Sequence, residues 1–168
     1  MRRVHLLRHA KSSWDDPALD DRARPLAPRG RKATRRLAPW IVEHDVRPQL
    51  VLCSPAARAR ETLAGIHAAL GSPDVVDDER IYHASSAELL DRLREVADPV
   101  AEVMLVGHNP GLADLCLLLA REGPLRERVA EKLPTGALVT LAAELDRWNT
   151  LAPGAADLVE LVLPRELG

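Results

Sequence analysis

Three short apolar runs in this chain stop abruptly on polar, reactive side chains. Val4-His5-Leu6-Leu7 ends at Arg8-His9, Leu50-Val51-Leu52-Cys53 ends at Ser54, and Glu102–Val106 ends at Gly107-His108. Runs this short, bounded by such breaks, read as strands buried on both faces. Stretches with helical spacing lie between them. Pro28 to about His44 puts Ala33, Leu37, Trp40 and Ile41 at helical spacing. Ser54-Pro55 opens a helix that reaches about Leu70 and closes at Gly71, with Ser54 as the expected N-cap. Ser85-Ser86 caps a helix from about Ala87 to Val96, and a Leu-rich helix covers about Leu112 to Arg121. Val75-Val76 reads as a short strand, and Ala137–Ala142 and Leu158–Leu163 as two late ones. Residues 12–27, rich in Ser, Asp and Pro, read as a long loop.

This alternation predicts an α/β fold. Its expected form is a three-layer α/β/α sandwich, with a mostly parallel central sheet and helices on both faces. No internal repeat, low-complexity tract or linker interrupts residues 1–168, so one domain is expected. A chain of this size buries about 69% of its unfolded surface and keeps about 8,200 Å² exposed. That suffices for a core without disulfides or structural metal. Phe is absent and aromatics make up 2%, so Leu, Val, Ala and Ile must build that core.

Cys53 and Cys116 lie in apolar stretches, with no CxxC or His-rich spacing around them. Neither a disulfide framework nor a zinc site is expected, and a reducing cytoplasm is the expected setting. The formal net charge of −2 and the scarce aromatics argue against nucleic-acid binding. No window of about 20 apolar residues predicts a membrane span. The N-terminal run is broken by His5 and Arg8, which does not suit a signal peptide.

In open α/β sheets, ligands bind beyond the carboxyl ends of the strands, where Arg8-His9, Ser54 and His108 fall together. An imidazole is one of the few side chains able to act as a nucleophile at neutral pH. A neighbouring guanidinium suits an anionic target, because its fork matches phosphate oxygens. The segment Ser54-Pro55-Ala56-Ala57-Arg58-Ala59-Arg60-Glu61-Thr62 brings a helix N-terminus and Arg58 to the same edge. Arg60 lies about 200° further round the helix and reads as an ion-paired surface residue. Gly107 allows a close backbone approach beside His108.

RHAKSSW, RPLAPRG, SPAARARET and VGHNPG, in this order, resemble the histidine phosphatase superfamily (phosphoglycerate mutase-like). The closest resemblance is to its small branch of SixA-like phosphohistidine phosphatases. It runs from residue 4 to about 112, and the late strand ending Leu161-Val162-Leu163-Pro164 also fits. It implies the histidine phosphatase-like fold and a phosphatase with a phosphohistidine enzyme intermediate. It further implies His9 as nucleophile, Arg8 and Arg58 as holders of the phosphoryl oxygens, and His108 as the second pocket histidine. Lys11, Ser12 and Arg24 are further substrate-binding candidates. Nearby arginines would keep His9 neutral, while His108 is expected protonated against the anion. No metal or other cofactor is expected, because arginines supply the charge.

Larger members of the superfamily protonate the leaving oxygen with a carboxylic acid. Glu79 and Glu88 are the candidates here by rough position, although Glu88 reads better as helix-surface charge. The SixA-like branch typically lacks that acid. A P–N bond leaves a good leaving group and needs little acid help, whereas an alkoxide needs more. The expected substrate is therefore a phosphohistidine-bearing protein, such as a phosphotransfer domain. A small phosphate ester, handled by a phosphatase or mutase, is the alternative, and a non-catalytic phospho-binding module ranks third.

Trp14 and His83 are rim candidates, with a solvated loop as the simpler reading for His83. His5 is expected in packing, and His44 and His67 on helix surfaces. The Arg-rich stretches 22–36 and 121–128 read first as solvated faces and second as docking surface for an acidic partner.

Overall fold

The computed structural model describes residues 1–168. Six strands form one sheet: β1 (Arg2–Arg8), β2 (Leu50–Cys53), β3 (Asp74–Asp77), β4 (Glu102–Gly107), β5 (Leu138–Ala143) and β6 (Ala156–Val162). Their order across the sheet is β3-β2-β4-β1-β5-β6. The pairs β2·β3, β2·β4 and β1·β4 are parallel, while β5 is antiparallel to both neighbours. The sheet is thus mostly parallel, with β5 alone reversed.

Alternate residues of the central strands point to opposite faces. Leu6, Leu52 and Leu105 join one core, packed beneath α3 (Ser86–Arg94), α4 (Gly111–Leu119) and α5 (Pro124–Glu131). Leu7, Val51, Met104 and Val106 join the other, beneath α1 (Pro28–Glu43) and α2 (Ala57–Ile66). The expected three layers are present, and the chain keeps 8109 Å² exposed. Cys53 and Cys116 are free and fall in different cores, on opposite sides of the sheet. No helix is long and apolar enough to cross a membrane.

One local expectation is corrected. Helix α2 begins at Ala57 rather than at Ser54, and no side chain caps it. The Ser54 hydroxyl instead accepts from Ala56 N–H at 3.2 Å and meets His108. Helix α5 begins within the second Arg-rich stretch, and only Val129 of it is fully buried.

The register fixes the site. Arg8 lies opposite Gly107 and Cys53 opposite Val106, so β1, β2 and β4 end level with one another. Helix α1 then packs hard against the segment that leaves β1. A Cβ built on Gly30 would lie 2.2 Å from the Lys11 carbonyl oxygen. Helix propensity alone makes a Gly-to-Ala change stabilising by about 1 kcal/mol. Here the sign should reverse: Gly30→Ala is expected to cost about 1–3 kcal/mol through overpacking, read as a lowered urea midpoint.

Candidate active site

His9 follows the last residue of β1, and its backbone continues the ladder by donating to Gly107 O at 3.0 Å. Gly136, at φ +78, closes the other side by donating its N–H to the carbonyls of Arg8 and His9. Ala10 N–H donates to Thr62 Oγ1 at 2.9 Å, and that hydroxyl donates to Arg58 O at 2.6 Å. One threonine therefore ties the loop bearing His9 to the first turn of α2, where Arg58 stands.

His9 is 8% exposed, and its Nδ1 lies 2.8 Å from Ala10 O. A carbonyl only accepts, so Nδ1 carries the proton and Nε2 is left with a free lone pair. Burial, with smaller contributions from Arg58, Arg8 and Arg24, pushes the imidazole down to about 4. The expected direction is found, but burial rather than the arginines is the main cause.

The His108 ring lies 5.2 Å from the His9 ring, centroid to centroid. Its Nε2 meets Ser54 Oγ at 2.7 Å, and its Nδ1 is buried without a partner. The expectation that His108 is protonated is corrected for the unliganded protein. Burial first, and then His9 and Arg58, push it down to about 3, so both imidazoles are neutral at pH 7.

Arg8 donates through Nη1 to Leu133 O at 2.9 Å, while its Nε–H is buried and unpartnered. Asn109 Nδ2 donates to the same carbonyl. Arg58 donates Nη1 to the carbonyl of Asp21 at 2.6 Å and Nη2 to its Oδ2 at 2.9 Å. Asp21 is a residue that sequence reading missed. Its carboxylate also accepts from Arg24 Nη1 at 3.0 Å and from the Tyr82 hydroxyl, and it lies 3.9 Å from His83 Nε2. Tyr82, Arg58 and Arg24 together hold the Asp21 carboxyl well below the usual range, despite an opposing push from desolvation. A lone Asp in a loop gives no local signal. Only the packing of residues 12–27 over the strand ends brings it to Arg58.

The remaining candidates divide. Arg24 is buried, acts on His9 through its charge, donates to Ser12 Oγ and Ser13 O, and covers the Trp14 ring at 3.3 Å. The Ser12 hydroxyl is thus engaged by Arg24. Trp14 is 71% exposed beneath that guanidinium. His83 is at the rim, 6.4 Å from the His108 ring, with Tyr82 between β3 and α3 edge-on to both. Lys11 is exposed and lines a neighbouring cavity together with Arg8.

Glu79 pairs with Arg22, and Glu88 completes a capping box with Ser85 at the start of α3. Neither is free as an acid. Arg60 pairs with Asp77 at the surface. His5 does more than pack, since it bridges Thr140 at 2.8 Å and Glu102 at 3.1 Å. His44 is exposed on Trp40, and the half-buried His67 meets Pro73 O.

Comparison with known proteins adds to this geometry. The model of the histidine phosphatase superfamily (branch 1) matches residues 4–97. A Mycobacterium tuberculosis protein, itself uncharacterized, is 35% identical over 163 residues, covering 95% of this chain and 100% of that one. The phosphohistidine phosphatase SixA of Escherichia coli K12 is 30% identical over 131 residues, covering 67% of this chain and 73% of that protein. A solved structure from Agrobacterium tumefaciens, assigned to phosphohistidine phosphatase SixA, has a TM-score of 0.84 at 30% identity. It covers 97% of this chain and 98% of its own. A mycobacterial glucosyl-3-phosphoglycerate phosphatase shares the fold, with a TM-score of 0.62 at 17% identity over 97% of this chain and 98% of its own.

Two neutral, buried imidazoles make folding pH-dependent. The unfolded chain protonates them near 6.5, whereas the folded site resists until about 4 for His9 and about 3 for His108. Stability is therefore full above 6.5 and falls as acid loads the unfolded state first. His9 alone should account for a loss on the order of 2 kcal/mol between pH 6.5 and about 4.5. Asp21 adds its own loss only below its unfolded value of 3.8. Urea titrations across this window should show that slope, reduced in His9→Gln.

Proposed function

The chain belongs to the histidine phosphatase superfamily, and from that membership we propose that it hydrolyses phosphohistidine in a protein, with His9 as the nucleophile. The observation that carries this reading is the free Nε2 lone pair of a neutral His9 beside Arg8, Arg58 and His108. Nε2 attacks phosphorus, and the P–N bond to the substrate imidazole breaks with its electron pair on the departing nitrogen. Water then attacks the phosphorus of phospho-His9. Inorganic phosphate leaves, and the bonding pair returns to Nε2.

The charge of the transferred group is met by guanidinium donors already in place, which act most strongly where water is excluded. Arg8 Nε–H and His108 Nδ1 are buried polar atoms without protein partners, and phosphoryl oxygens would supply one. His108 is neutral before binding. An arriving dianion would raise its affinity for a proton, so the imidazolium forms against the substrate.

The likeness to SixA proteins supports a phosphoramidate substrate, and so does the state of the carboxylates. Glu79 and Glu88 are engaged elsewhere, and Asp21 is ionised and held by cations. The ionised Asp21 is no ready proton donor at neutral pH, which suits a leaving group that needs little acid help. A small ester remains the second reading, because Asp21 touches Arg58 and an acid there would serve an alkoxide.

A single-turnover assay with a ³²P-labelled phosphohistidine protein, beside an aryl phosphate and with EDTA in excess, tests this. We expect fast release from the phosphoramidate, slow release from the ester and no effect of EDTA. His9→Ala should lose at least about 10³-fold, and Arg58→Ala about 10²–10³-fold. Asp21→Asn should change both substrates by the same factor. A loss confined to the ester would make Asp21 a general acid and favour the second reading.

A further inference from the structure

Helix α1 carries Arg29, Lys32 and Arg36 at spacings of three and four residues, which puts them on one face. That face borders a cavity of about 600 Å³. Lys132 and Arg165 also line it. Arg8 and Lys11 form its boundary with the loop that bears His9. No acidic side chain lines this cavity.

None of these cations pairs with a carboxylate. Arginines elsewhere do, as in Arg60 with Asp77, Arg121 with Asp157 and Arg128 with Glu166. Within the Arg-rich stretch 22–36, Arg22 and Arg24 are paired with Glu79 and Asp21. The 121–128 segment is neutralised by its neighbours, and the 29–36 face is not. The chain carries a formal net charge of −2, so this concentration is not a by-product of a basic protein.

A concave wall of one sign focuses its field and raises the local concentration of counter-charge. The volume falls in the range that holds small ligands rather than the flat footprint of a protein partner. No aromatic side chain lines it, so nothing there would stack a nucleobase. Guanidinium forks and ammonium groups together suit several phosphate groups held close to one another.

We infer that this cavity is a binding site for a compact polyanion bearing two or more clustered phosphate groups, separate from the phosphoryl pocket but sharing Arg8 with it. Condensed phosphate chains and small organic bisphosphates both present that chemistry.

Calorimetric titration at about 0.15 M salt, where the screening length is about 8 Å, tests the site without relying on turnover. The probes are inorganic orthophosphate, inorganic tripolyphosphate, fructose 1,6-bisphosphate and a hexaglutamate peptide. At least one of the two polyphosphorylated probes should bind about tenfold or more tightly than orthophosphate, and which one gains more separates the two sources. Lys32→Gln should weaken that probe about tenfold, and Lys32→Gln/Arg36→Gln/Arg165→Gln about 100-fold or more. An Arg121→Gln/Arg128→Gln control should leave it unchanged. Binding no tighter than orthophosphate, or a loss equal in the control, overturns the proposal. So does a hexaglutamate affinity equal to that of the phosphorylated probes, which would assign the cavity to an acidic protein segment.

Discussion

Parallel pairing of β1 with β4, and of β4 with β2, is the constraint on which the site depends. Neighbouring strands lie only about 4.8 Å apart, and here their carboxyl ends are level. Arg8 sits opposite Gly107 and Cys53 opposite Val106. The next residue of each strand is then His9, Ser54 or His108. A one-residue slip would turn Leu6 and Leu7 to the wrong cores, so hydrophobic burial holds the register that the chemistry needs. Ser54 and Thr62 make that alignment rigid. One joins β2 to His108, and the other joins the β1 loop to the start of α2.

Two opposing demands meet at these strand ends. Concentrated positive charge is needed to hold an anion, and an unprotonated imidazole is needed to attack it. Burial is the leading cause that keeps both histidines neutral, and the cations act in the same direction. Solvent exclusion and charge therefore reinforce one another on His9. For His108 they oppose the protonated form until an anion arrives.

Much of this was legible in the sequence, because the same residues carry both fold and chemistry. Leu50–Cys53 has the bounds expected of it, and His9, Arg58 and His108 converge because each follows closely on a recognisable strand. What stayed hidden depended on side-chain partners distant in sequence. Ser54 has the residue type of a helix cap, yet His108, 54 positions away, is its partner. Asp21 has no local mark at all, and its meaning comes from Arg58, 37 positions on. The basic spacing of 29–36 was visible, but whether acids would neutralise it was not. That answer lies in loops far along the chain.

The clasp of Asp21 on Arg58 bears on what happens after the bond is broken. Asp21 takes two guanidinium donors, Nη1 on its backbone carbonyl and Nη2 on its carboxylate Oδ2. An incoming phosphoryl group that takes those donors must evict it, so part of the intrinsic attraction is spent on exchange. The same exchange runs in reverse once the product is free phosphate. The carboxylate is already at hand and recaptures the guanidinium without a diffusional encounter. On the proposed reading, Asp21 would act as a built-in competitor, giving up some affinity at entry for quicker clearance at exit.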